Sequence, residues 1–382
     1  MASRSTPPLR LERSPLVHPL AAPLVTAHGP HIVRRGWLLT LTDAEGRVGR
    51  GEAMPLAAFG TESYEAAEAS LGELCRRFND VVEPLPATPE ELGAWLAPLA
   101  PTLTVRHALE LAALELQAVR EQKPLSRWLW ESWARLGEAG ERGPCPEIEV
   151  NALLSSQQPT ALADEAVKAQ QEGARSFKIK VASGPVVLDV LRLKYVREAL
   201  GPEARIRIDA NAGWRDRHQA KEALRALSAH GPIELCEEPL PVGHLDGLKA
   251  LRGNVPALIG ADETLCSPNL APRLIELGAV DVLVLKPMML GGLLPAMALA
   301  RQGRDMGVPR ALVTSSLDGV VARAGAAHLA AVIGDPELAH GLWTGSLFVD
   351  EPDHPFAPRD GRIRIPDAPG LGVPEALTRP SP

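Results

Sequence analysis

The sequence predicts an α/β protein in which a parallel β/α barrel follows a smaller α+β unit. Short apolar runs rich in β-branched residues recur from about residue 147 onward, at intervals of roughly 25–30 residues. Amphipathic stretches of helical length separate them, the pattern of a parallel barrel. No G-x-G-x-x-G or P-loop follows any run, which disfavours an open doubly wound sheet. The first 54 residues instead alternate in short runs, as an antiparallel meander does.

In chain order, the meander spans Leu9 to Met54, with a turn at Asp43-Ala-Glu-Gly46. Helices are predicted over residues 63–78, 89–99 and 106–121. The last carries Ala108, Leu111, Ala112 and Glu115 at helical spacing, with Pro124 beyond its end. Strands are predicted at residues 149–154, 176–181, 205–210, 235–240, 257–263, 282–287 and 310–316, and a weaker one at 338–342. Short strand-like pieces follow at 346–349 and 362–365, and a Pro-rich tail, residues 366–382, is expected to be partly disordered.

The 40 basic against 47 acidic residues give a net charge of −7 with no basic block, so nucleic acid is excluded as a partner. No apolar run reaches the roughly 18 residues needed to cross a bilayer. The first eight residues lack a signal-peptide core, and Cys75, Cys145, Cys236 and Cys266 lie far apart without a C-x-x-C pair. A disulfide framework and a structural zinc site are therefore not expected, and the chain reads as cytoplasmic. Only 8 of the 40 basic residues are Lys. Where Arg serves for plain charge, the remaining Lys are enriched at places that need an amine able to lose a proton.

Lys180, Asp209, Glu237, Asp262 and Lys286 each fall at the C-terminal end of a successive predicted strand, at spacings of 29, 28, 25 and 24 residues. In a barrel, all five tips converge on one mouth, where such proteins place their chemistry. Three carboxylates without Cys or His suit Mg²⁺, whereas a salt-bridge network is the plainer use of the same charges. Strand alternation leaves open whether Glu237 or Glu238, and Asp262 or Glu263, faces the mouth. Pro239 is expected to hold Glu238 extended. The period of two puts Lys178 and Lys180 on one face, where two ammonium groups beside a cation would depress each other's pKa and free an amine as base. For Lys178 alone, a solvated or ion-paired side chain is an equal alternative. Lys286 stands half a barrel away. Lysine bases with a divalent ion suit proton removal α to a carboxylate, because the ion takes up the second charge of the enediolate.

Arg50-Gly-Glu-Ala-Met-Pro55, Lys178-Ile-Lys180, Asp209-Ala-Asn211, Glu237-Glu-Pro239, Asp262-Glu263, Lys286-Pro287 and Gly291-Gly292, in this order, resemble the enolase superfamily, specifically its muconate-lactonising subgroup. The resemblance covers nearly the whole chain. It implies a (β/α)7β TIM-like barrel over residues 146–342, capped by an α+β domain from residues 1–145 with the segment 343–382 returning to it. It implies Asp209, Glu237 and Asp262 as ligands of Mg²⁺ (Mn²⁺ as the alternative), Lys180 as acid/base, Lys178 as its electrostatic partner and Lys286 on the opposite face. Leu312-Val-Thr-Ser-Ser316 lacks the His of the mandelate-racemase subgroup.

Within the subgroup the chain looks most similar to the o-succinylbenzoate synthases of menaquinone synthesis, through residues 19–29, Arg34-Arg35-Gly36, Pro55 to Glu62, Thr314 to Asp318 and His340 to Gly345. That likeness implies dehydration of a succinylated hydroxycyclohexadiene carboxylate. Asn211, Gly291, Gly292, Thr314, Ser315 and Ser316 would hold the substrate, and loops at 19–29 and 57–61 would close over it. Partners then reduce to a small-molecule carboxylate and further copies of the chain itself. An N-acylamino-acid racemase or dipeptide epimerase is the alternative, although no Asp-x-Asp stands near residues 340–344; a non-catalytic binding barrel is more remote. Gly319 and the Ala-rich stretch after it are smaller than the family leads one to expect.

Overall fold

The structure, a computed structural model, describes residues 9–26, 29–78, 85–99, 102–135, 143–349, 351 and 353–378. Three antiparallel strands open it, β1 (Arg10–Thr26), β2 (Gly29–Thr42) and β3 (Val48–Ala53), in that spatial order. The expected loop at 19–29 is instead mostly strand. The β1–β2 register shifts between Pro19 and Leu24 and then resumes, while Ala27 and His28 lie outside the described residues. As the edge strand, β1 tolerates its prolines because one row of its N–H groups needs no partner.

Helices α1 (Tyr64–Phe78), α2 (Pro89–Leu96), α3 (Leu103–Arg120) and α4 (Leu125–Arg135) follow. Nearly every residue of α3 is buried, since it packs between this sheet and the barrel. Helix α4 was not expected: Pro124 reads as the stop of α3, but it is also a good residue at a helix start. Leu125, Trp128, Leu129 and Trp133 recur at helical spacing and are all buried.

The barrel strands are β4 (Glu147–Leu154), β5 (Ser176–Lys180), β6 (Arg205–Asp209), β7 (Leu235–Glu237), β8 (Leu258–Ala261), β9 (Val282–Leu285), β10 (Arg310–Val313) and β11 (His340–Trp343). They pair in parallel in the order β10-β9-β8-β7-β6-β5-β4-β11, and a bridge between Thr314 and Gly341 brings the two ends together. Between them run α5 (Pro159–Gln171), α6 (Val186–Leu200), α7 (Arg217–Leu227), α8 (Leu245–Leu251), α9 (Ala271–Glu276), the short α10 (Pro287–Leu290) with α11 (Leu293–Asp305), and α12 (Val320–Ile333). All eight predicted barrel strands are present, and the seven helical crossovers give the (β/α)7β arrangement.

Past β11, the expected strand at 346–349 is a 3-10 turn, Gly345–Leu347, followed by a single bridge from Phe348 to Leu20. Strand β12 (Arg362–Arg364) then pairs antiparallel with β4. The Pro-rich segment is packed as far as it is described: Leu371 is fully buried, and Gly370 bridges Pro124. Residues 379–382 lie outside the described residues. No described helix is long and apolar enough to cross a membrane.

Candidate active site

The C-terminal ends of β6, β7 and β8 bring Asp209, Glu237 and Asp262 together. One carboxylate oxygen from each lies within 4.8 Å of the others, and all three residues are buried. Asp209 is aimed by its own loop, where the Asn211 N–H donates to its Oδ1 at 3.0 Å. Asn211 adopts φ +42°, a left-handed conformation that Asn tolerates better than most residues.

The facing of the paired acids is resolved. Glu237 enters the trio, while Glu238 turns away and accepts the N–H groups of Asp262 (2.8 Å) and Thr264 (3.1 Å) and the Thr264 hydroxyl. Glu238 is not extended as Pro239 led one to expect: its φ is +35°. Its N–H donates to Gly260 and its carbonyl accepts from Ala212, so the neighbouring strand ends override the preference set by the following proline. Asp262 likewise faces the trio. Glu263 instead accepts the Asn211 side-chain amide at 3.0 Å, and burial beside Asp262 pushes its carboxyl up to about 7.

Lys178 and Lys286 reach the trio from different strands. Lys178 Nζ lies 2.9 Å from Asp209 Oδ2 and also contacts Glu237 Oε2, while Lys286 Nζ lies 2.6 Å from Asp262 Oδ2. Burial alone would lower both, but the facing carboxylates outweigh it and raise Lys178 and Lys286 above the ordinary range. Each ammonium meets more carboxylate than ammonium charge. Within the trio, burial and the two neighbouring acids raise Glu237. Burial would raise Asp209 too, but Lys178, Lys180 and Lys286 hold it low. Lys180 is exposed at the tip of β5, in register with Asp209.

The residues expected to hold substrate are used less uniformly. Thr314 donates to the Gly341 carbonyl (3.1 Å), and Ser315 pairs with Thr344 (3.2 Å) and accepts from the Leu317 N–H (3.2 Å). These two hydroxyls serve the seam of the barrel. Ser316 Oγ is buried without a partner among the described residues and keeps its capacity. The Gly291 and Gly292 amides are not free donors, because both donate to the Pro287 carbonyl. Gly292, at φ +152°, is small for a packing reason: a Cβ there would lie 2.3 Å from the Glu110 carboxylate of α3. Sequence reasoning missed the roles of Glu238 and Glu110, because nothing in a one-dimensional pattern marks an acid that caps a loop far away in sequence.

The fit to a divalent cation rests on the donors themselves. Three hard oxygens converge, and Asp262 Oδ1 is buried with no partner of its own among the described residues.

Comparison with known proteins adds three kinds of relative. The sequence model of the family described as enolase C-terminal domain-like matches residues 161–374. An o-succinylbenzoate synthase of Mycolicibacterium smegmatis is 34% identical over 70% of this chain and 81% of its own. An N-succinyl-L-Arg/Lys racemase of Bacillus cereus is 27% identical over 93% and 92%. Among solved structures, the substrate-liganded L-Ala-D/L-Glu epimerase of Bacillus subtilis matches with a TM-score of 0.84 at 25% identity, covering 95% of this chain and 98% of that one.

Proposed function

The chain belongs to the enolase superfamily, a family of enzymes, and on that premise we propose that it removes the proton α to the carboxylate of a small molecule, as an o-succinylbenzoate synthase using Mg²⁺. The observation that carries the reading is the convergence of lysines from two sides of the barrel on one cage of three carboxylates. Asp209, Glu237 and Asp262 would hold the ion. When bound, Mg²⁺ supplies the positive charge that stabilises a second negative charge on the substrate carboxylate.

The chain's own groups do the rest. Lys180, as the free amine, takes the α-proton, and the C–H electrons pass into the carboxylate to form an enediolate. Those electrons return as the neighbouring C–O bond breaks, and the Lys180 ammonium gives its proton to the departing hydroxyl, releasing water. Lys286 supports the enediolate charge from the opposite side. Lys178, held between Asp209 and Glu237, keeps both carboxylates aimed and charge-compensated. Ser316 is the strand-end hydroxyl best able to meet a second substrate oxygen.

A racemase or epimerase acting on an acylated amino acid is the second reading. The similarity to an N-succinyl amino acid racemase along nearly the full chain favours it, as do lysines on both sides of the cage. The absence of an Asp-x-Asp in His340-Gly-Leu-Trp-Thr344 weighs against the dipeptide version. Purified protein with Mg²⁺ and the succinylated hydroxycyclohexadiene carboxylate should yield water and an ultraviolet-absorbing aromatic acid, and chelator should stop it. No dehydration, together with deuterium wash-in at the α-carbon of an N-succinyl amino acid, would transfer the assignment to the racemase.

A further inference from the structure

The segment Arg50-Gly-Glu-Ala-Met-Pro55 takes no part in the chemistry above, yet its acid is buried away from its own sheet. From β3 the Glu52 carboxylate crosses to the barrel, where Oε1 accepts the Gly319 N–H at 2.5 Å and Oε2 the Ala322 N–H at 3.2 Å. These amides open α12, whose N-cap position, Gly319, has no side chain to offer. Glu52 therefore supplies the cap in trans, an anion at the positive end of a helix. A Cβ at residue 319 would stand 2.7 Å from that carboxylate, which accounts for the small residue there.

Arg34 of β2 holds the same loop from the other side. Its guanidinium, also buried, donates to the carbonyls of Met54 (2.7 Å) and Pro55 (2.8 Å), and its Nε reaches the Leu317 carbonyl at 3.2 Å. Leu317 sits at φ +61°, a conformation that needs such restraint. Two adjacent strands of the amino-terminal sheet thus grip the loop at Leu317 and Gly319, directly after Thr314, Ser315 and Ser316. Inside the grip, the Ser316 N–H donates to Asp318 Oδ2 at 3.0 Å.

We propose that Glu52 is a positioning residue: by capping α12 across the domain interface it fixes the loop after β10, and through that loop it sets the affinity for substrate without touching substrate or ion. The proposal rests on the reading above in one respect only, that this rim receives the substrate. The Lys178, Lys180 and Lys286 geometry does not depend on it, since those residues stand on other strands.

The test compares Glu52→Ala and Glu52→Gln with wild type in three measurements: amide hydrogen exchange over residues 314–323, KM against kcat with the succinylated carboxylate, and Mn²⁺ affinity. In Glu52→Ala, exchange at Gly319 and Ala322 should accelerate about tenfold and KM should rise about tenfold, with kcat within about threefold. Mn²⁺ affinity should match wild type. Glu52→Gln keeps one acceptor and should restore slow exchange at only one of the two amides and about half of the KM loss on a logarithmic scale; if the Ala variant does not fold, a roughly threefold change in the Gln variant carries the test. Unchanged exchange, or a fall in kcat at constant KM, overturns the proposal. A wild type without turnover removes the functional reading alone, and the exchange comparison still decides the role of Glu52.

Discussion

Strand β6 carries Arg205, Arg207 and Asp209 on one face, and the two ends of that face belong to different regimes. At the floor of the barrel, Arg207 is wholly buried and every nitrogen of its guanidinium donates. Nε and Nη2 go to Glu234 (Nη2 at 2.6 Å), and Nη1 goes to the Ala339 carbonyl at 2.7 Å. Beside it, burial and Arg207 push His340 down to about 3, and its Nδ1 accepts from Val313. At the mouth, Asp262 Oδ1, Glu263 Oε2 and Ser316 Oγ are buried without partners among the described residues. Five non-glycine residues with positive φ, Ala182, Asn211, Ala212, Glu238 and Leu317, line its loops. Buried charge alone therefore does not mark a functional site. Unspent valence and backbone strain at the same end of the barrel do.

The comparison breaks most visibly at Lys180. Lys180→Ala should lower turnover by about 10³-fold while leaving urea stability and Mn²⁺ affinity unchanged, because an exposed lysine supports little of the fold. Wild-type-like turnover in that variant would remove Lys180 from the chemistry. The floor should respond in the opposite way. Arg207→Met strands Glu234, which among the described residues keeps only Arg205 at 3.6 Å, and should cost about 3 kcal/mol in urea unfolding. Turnover per folded molecule should stay within about twofold, and a catalytic loss without a stability loss would erase the distinction between the two ends. Between these lies Asp262→Asn, which should weaken Mn²⁺ at least about tenfold by titration. Unchanged affinity would take Asp262 out of the cage.

The mouth was more legible than its supports, for a physical reason. One charged residue per β/α repeat placed Lys180, Asp209, Glu237, Asp262 and Lys286 at a common rim, since strand ends of a parallel barrel must converge, and period-two alternation put Lys178 on the face of Lys180. The structure brings Lys178 and Lys286 onto the carboxylate trio and leaves Lys180 exposed at the tip of β5. Alternation left Glu237 and Glu238 open and the resemblance alone favoured Glu237; the φ of +35° at Glu238, which turns the second acid aside, supplies the physical reason. The carboxylates that keep Lys178 charged come from other strands, invisible to a local pattern. Helix α4 was hidden by a proline that serves equally as a stop and a start, and the edge strand at residues 19–26 by prolines that read as turns. Interdomain caps such as Glu52 and Glu110 bridge more than 180 residues of sequence and leave no local trace.

Glu110 offers the cleanest separation of burial from chemistry. From α3 it accepts the Leu294 N–H at 2.9 Å, capping α11, while its Oε2 is buried with no partner among the described residues. Burial pushes its carboxyl up to about 7, against only partial relief from the Leu294 amide and Arg106. The folded protein therefore holds a proton here that the unfolded chain releases at its ordinary, lower pKa. Stability from this group is complete below that ordinary value and is lost as pH rises through about 7. Glu110→Gln keeps the accepting oxygen and removes the buried anion, so it should gain about 3 kcal/mol at pH 8 and less than about 1 kcal/mol at pH 5 in urea unfolding. Glu115 is also pushed up to about 7, but it accepts the Arg50 and Leu371 N–H groups through separate oxygens, so its amide variant should lose bonds at both pH values. An equal effect of Glu110→Gln at pH 5 and pH 8 would mean that its carboxylate is better solvated than its burial implies, and the cap would then owe its strength to charge rather than to shape.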